Sequence, residues 1–114
     1  MKYMGSKARI AKDICPIIQS FIDKSGAYIY VEGFVGGANV IDKISCDIRH
    51  GIDKNKYLIA LLKYAANGGE LLGRVSKDTY TDVKLNKDNY PDWLVGNVGF
   101  LASYNGKFFD GGYA

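Results

Sequence analysis

The stretch Tyr28-Ile-Tyr-Val-Glu-Gly-Phe-Val-Gly-Gly-Ala-Asn39 limits the fold more than any other. Tyr28 to Val31 is apolar, aromatic and β-branched, and reads as a strand buried on both faces. It meets an acidic residue, Glu32, and then a turn containing Gly33, Gly36 and Gly37. Glycines there allow positive φ or a close backbone approach. Two uses fit such a turn. It is an ordinary tight connection from strand to helix, or it is a ligand cradle, because open α/β sheets bind ligands beyond the carboxyl ends of their strands. The spacing is neither G-x-G-x-x-G nor that of a phosphate-binding loop, so neither dinucleotide nor nucleoside triphosphate binding is read from it.

The neighbouring segments fix the class. Before the turn, Ile10, Ile14, Ile17, Ile18, Phe21 and Ile22 recur at helical spacing, with Ser6 as the expected N-cap and Pro16 as the expected site of a kink. After it, Val40, Ile41 and Ile44 suggest a short helix. Asp47 to Asp53 alternates as a second strand, with Ile48, His50 and Ile52 on one side. Lys54 to Ala66 then reads as a helix with Leu58, Leu61, Leu62 and Ala65 as its buried stripe, stopped by Asn67-Gly68-Gly69. A strand, crossover and strand in this order favour a parallel pair with a right-handed connection. The expected class is α/β, open and doubly wound, with strands at about 28–32 and 47–53 and a helical second half. In that half Ser76 caps a polar helix from Lys77 to about Asn86. Pro91 opens another helix, whose apolar face is Leu94, Val95, Val98, Leu101 and Ala102. Ser103 to Ala114 is aromatic and glycine-rich, without helical period.

At 114 residues the chain is long enough for one core, and 47% apolar with 24% charged residues is ordinary for a globular protein. No apolar run approaches a membrane span, and the N-terminus lacks the apolar region of a signal peptide. Cys15 and Cys46 form no C-x-x-C pair, and with the missing signal they point to free thiols in a cytoplasmic protein. A net charge of +3 permits nucleic-acid binding without arguing for it.

Three residues outside the turn are candidates for chemistry. Asp53 closes the second strand, where an acidic side chain accepts hydrogen bonds from ribose hydroxyls. It also stands just before a helix, where aspartate is a preferred N-cap. Lys7 stands two residues after Gly5 at the head of the first helix and either reaches a ligand carboxylate or is a solvated surface lysine. His50, the only histidine, is expected to be packed and hydrogen-bonded. No metal-ligand spacing and no nucleophile–histidine pairing stands out.

In order along the chain, four segments resemble the Dam-like class of DNA adenine methyltransferases. They are Lys2-Tyr-Met-Gly-Ser-Lys-Ala-Arg-Ile10, Tyr30-Val-Glu-Gly-Phe-Val-Gly-Gly-Ala-Asn39, Gly51-Ile-Asp-Lys-Asn-Lys-Tyr-Leu-Ile59 and the aromatic segment Gly99 to Tyr113. The resemblance implies an incomplete Rossmann-like methyltransferase fold that binds S-adenosylmethionine. Tyr3, Lys7, Glu32, Phe34, Gly36, Gly37 and Asp53 would form the cofactor site, with Lys7 on the cofactor carboxylate and Asp53 on the ribose. Residues 1–75 would be a partial cofactor-binding domain, and 76–114 the start of a target-recognition region that contacts DNA. The second segment departs from the family's E-P-F-x-G-G-G pattern, because Gly33 replaces proline and Ala38 stands where a third glycine is common. The family's catalytic motif, a polar residue followed by Pro-Pro and an aromatic, is absent, since the only prolines are Pro16 and Pro91. The resemblance therefore implies the N-terminal portion of a methyltransferase, inactive alone. Two further readings are a non-enzymatic interaction module that self-associates or pairs with a chain supplying the missing half, and a nucleic-acid binder using its lysines and C-terminal tyrosines.

Overall fold

A computed structural model describes residues 3–114. They fold as two compact units, Gly5–Lys54 and Asn55–Ala114, with Tyr3 and Met4 belonging to the second. Among the described residues the class is mixed α/β, with one two-stranded parallel sheet and four α-helices.

In the first unit α1 spans Ala11–Ser25, β1 spans Ile29–Gly33 and β2 spans Ile48–Ile52. A 3-10 turn at Ile41–Lys43 lies in the crossover. The strands pair in parallel from Ile29 opposite Ile48 to Gly33 opposite Ile52. Helix α1 begins later than Ser6 would have it. Its N-cap is Ile10, which makes no side-chain cap bond, because the Ser6 hydroxyl accepts from the Ala8 amide at 3.1 Å and from Asn39 Nδ2 at 2.8 Å. The helix continues past Pro16 and ends at Gly26, whose φ of 70° is left-handed.

The buried face of α1 is also rotated from the one its isoleucines suggest. Ala11, Cys15, Ile18 and Ile22 pack with Val40, Ile44 and Tyr30, whereas Ile10, Ile17 and Phe21 are exposed. Helical spacing fits both stripes. The small side chains at Ala11 and Cys15 let the helix approach the crossover closely, and the Cys15 thiol reaches the Val40 carbonyl at 3.9 Å. Full burial of a side chain such as Ile44 contributes about 1.5–3 kcal/mol. The crossover is held further by Arg49, which donates to the carbonyls of Ile41 and Ile44 at 3.0 and 3.1 Å.

Strand β1 is covered on one face only, which corrects the expectation of burial on both. Tyr30 and Glu32 turn toward the core, while Ile29 and Val31 are exposed. Every residue of β2 is exposed, His50 included, so the histidine is not packed as expected.

The second unit holds α2 (Lys56–Ala66), α3 (Lys77–Leu85) and α4 (Asp92–Leu101). The Asn55 side chain caps α2, accepting from the amides of Tyr57 and Leu58 at 2.9 and 3.1 Å, and Ser76 caps α3 through Thr79. Leu58 and Leu61 are buried, but Ala65 is exposed and outside the stripe expected for it. Helix α4 buries Val95 through Phe100 and leaves Leu101 exposed. Gly96 is required by packing, since a Cβ there would lie 2.3 Å from the Tyr57 carbonyl oxygen of α2. The aromatic tail is part of this core. Ser103 pairs with Tyr113 across an antiparallel bridge, the Tyr80 hydroxyl and Ser103 Oγ are 2.9 Å apart, and Phe109 is buried against Tyr80.

Candidate functional site: a glycine cradle between two acidic strand ends

The cradle follows β1 and folds back over the end of β2. The Val35 amide donates to the Ile52 carbonyl at 2.9 Å, extending the parallel ladder into the turn. Val35 is buried, and the absence of a side chain at Gly51 makes room for it, because a Cβ there would lie 2.9 Å from Val35 Cγ2. The Gly36 amide donates to Asp53 Oδ2 at 3.2 Å. Backbone φ is left-handed at Phe34 (55°), Gly36 (55°) and Ala38 (63°). Only the middle one of these is a glycine. Left-handed backbone costs a residue with a Cβ roughly 1–2 kcal/mol, and such strain persists where the surroundings over-determine it.

Asp53 can now be assigned. It does not cap α2, because Asn55 does. Its carboxylate instead lies at the carboxyl end of β2, bonded to the backbone of the cradle. Glu32 is the penultimate residue of β1 and only 6% exposed. Its Oε1 accepts from the Tyr30 hydroxyl at 2.7 Å, while its Oε2 is buried without a hydrogen-bond partner. Burial first, and then the bond and charge of Glu32, push the Tyr30 phenol above its ordinary value of 10.0. The phenol therefore stays a proton donor through the neutral range and fixes one carboxylate oxygen, leaving the other to a donor from elsewhere. Burying a carboxylate oxygen without a donor is costly, so a ligand that supplied a donor to this atom would relieve that cost.

Lys7 reaches the cradle as well. Its ammonium donates to the Phe34 carbonyl at 2.5 Å. The Phe34 ring is 84% exposed, an aromatic surface at the carboxyl end of the sheet. Glu32, Phe34, Gly36, Gly37, Asp53 and Lys7 therefore all lie within the first unit. Tyr3 belongs to the other unit, where its ring lies 5.5 Å from that of Phe100. Lys2, at the head of the first resembling segment, lies outside the described residues.

Two residues of the cradle lie outside the expected cofactor set, Ser6 being read from sequence only as an N-cap. Ser6 and Asn39 are joined by a hydrogen bond, and Lys43 Nζ donates to the Asn39 carbonyl at 2.7 Å. Both lie inside the segments that carry the resemblance, but short polar residues beside glycines are so common in turns that the type alone carries no signal. No group of three or more metal-ligating side chains occurs among the described residues. No helix among them is long and apolar enough to cross a membrane.

No family model, curated protein or solved structure matches the chain.

Proposed function

We propose that the unit Gly5–Lys54 binds S-adenosylmethionine, as the cofactor-holding N-terminal portion of a DNA adenine methyltransferase of the Dam-like class. The observation that carries the reading is the buried, unpartnered Glu32 Oε2 at the carboxyl end of β1, beside a glycine cradle. S-adenosylmethionine matches it with an ammonium group. Asp53, on the adjacent strand end, supplies a carboxylate for the ribose hydroxyls while it holds Gly36. Lys7 supplies a cation for the ligand carboxylate, and Phe34 an exposed aromatic ring for the adenine. The 114 residues contain no Pro-Pro motif to accept the target adenine, so binding without methyl transfer is expected of them.

Isothermal calorimetry with S-adenosylmethionine tests the reading. The wild-type chain is expected to bind. Asp53→Ala and Glu32→Gln should each weaken binding by about tenfold or more, as expected when a charge-assisted hydrogen bond is lost. Absence of binding by the wild type removes the cofactor reading.

A second reading, association with another chain, draws support from the bare side of the sheet. Ile29, Val31, Ile48 and Ile52 are all exposed there, whereas parallel sheets are ordinarily covered on both faces.

A further inference from the structure

We propose that Lys7 is a latch for the cradle, a positioning residue whose bond to the Phe34 carbonyl holds the left-handed Phe34 turn in its binding-competent shape. The latch itself stands on the geometry of the loop; that its shape serves a ligand rests on the cofactor reading above.

Phe34 is the awkward point of the loop. A large residue with a Cβ occupies φ 55°, and its ring is exposed, so side-chain packing does not hold it there. Hydrogen bonds from their amides fix the residues that follow it, Val35 to the Ile52 carbonyl and Gly36 to the Asp53 carboxylate. The Phe34 carbonyl is gripped by Lys7, 27 positions earlier in the chain. A hydrogen bond from a charged donor is of the same order as the strain it opposes.

The neighbours of Lys7 make it a firm anchor. Its own carbonyl accepts from the amides of Ile10 and Ala11 at 3.1 and 2.9 Å, which ties it to the head of α1. The preceding residue, Ser6, holds Asn39 at the far end of the loop. Ser6 and Lys7 thus strap both ends of the cradle, Asn39 and Phe34. An ammonium has three donors, so Lys7 can keep the Phe34 carbonyl and still present a donor to a ligand carboxylate. In this arrangement its two roles reinforce each other.

Amide hydrogen exchange on the ligand-free 114-residue chain tests the latch. In Lys7→Met the Val35 and Gly36 amides should exchange about tenfold faster than in the wild type, while Ile18 and Ile22 of α1 stay unchanged. Lys7→Arg keeps a cationic donor and should recover most of the protection. In a Phe34→Gly background the effect of Lys7→Met should shrink below about threefold, because glycine takes positive φ without strain. Unchanged exchange at Val35 and Gly36 in Lys7→Met overturns the proposal, and so does equal acceleration throughout α1. Should Lys7→Met fail to fold, Lys7→Leu likewise removes the donor and gives the same comparison. Calorimetry of these variants separates the two claims. If the wild type binds no S-adenosylmethionine, the cofactor reading falls and exchange alone decides the latch. If the wild type binds and Lys7→Met loosens the loop without weakening affinity by about tenfold, the link between latch and binding is overturned.

Discussion

Ala38 stands where glycine is usual in the resembling family, and its φ is 63°. The backbone therefore has the form a glycine would favour, with a methyl group added. Replacing Ala38 by glycine removes roughly 1–2 kcal/mol of left-handed strain and adds about 0.5–1 kcal/mol of chain entropy to the unfolded state. Ala38→Gly is expected to raise stability by up to about 1.5 kcal/mol, measured by urea unfolding. A clear loss of stability would mean that the methyl group packs favourably enough to outweigh the strain. In sequence Asp53 has two uses, helix cap, the favoured one for an aspartate just before a helix, and ligand acceptor, because both suit a carboxylate at a strand-to-helix junction. Asn55, two positions on, takes the cap, and the Asp53 carboxylate goes to Gly36.

Element by element, periodicity was a good guide to where helices and strands lie and a poorer guide to which side they bury. Both strands, their parallel pairing and the helices near 56–66, 77–85 and 92–101 follow from local pattern. The face of α1 does not, since Ile10, Ile17 and Phe21 lie outside while Ala11 and Cys15 lie inside. Hydrophobicity alone ranks isoleucine above alanine, whereas close approach favours the smaller side chain. Gly96 on α4 shows the same preference. Its contact with the Tyr57 carbonyl of α2 leaves no room for a Cβ, and the obstacle is backbone, which cannot swing aside. Gly96→Ala would gain about 1 kcal/mol of helix propensity, yet the clash should dominate. A net loss of about 1–3 kcal/mol is expected by thermal or urea unfolding. An unchanged or raised stability would show that α2 and α4 can move apart at little cost.

At the scale of the molecule, the residues of the proposed site gather in one unit although Lys7 and Asp53 stand at its two ends in sequence. The sheet that brings the acidic strand ends together is narrow, and its second face carries exposed Ile29, Val31, Ile48 and Ile52. Apolar patches of this kind tend to associate. If the face is an interface, light scattering should show mass rising with protein concentration, and Val31→Lys should abolish the rise. A monomer at every concentration would remove the self-association reading and leave cofactor binding untouched.

The sequence by itself determined the strand that runs into a glycine turn, the parallel pair, and the presence of acidic residues at both strand ends, because these are set by local pattern and by the order of elements. It also offered Lys7, as a candidate for a ligand carboxylate or else a solvated surface lysine. Tertiary structure decided what those residues touch. It turned Asp53 from a helix cap into a partner of Gly36, buried Glu32 with one oxygen unpartnered, and carried Lys7 to the Phe34 carbonyl. Each depends on groups far apart in sequence being placed within hydrogen-bonding distance. Residue type and spacing do not encode such distances; the packing of α1 and the crossover against the sheet does.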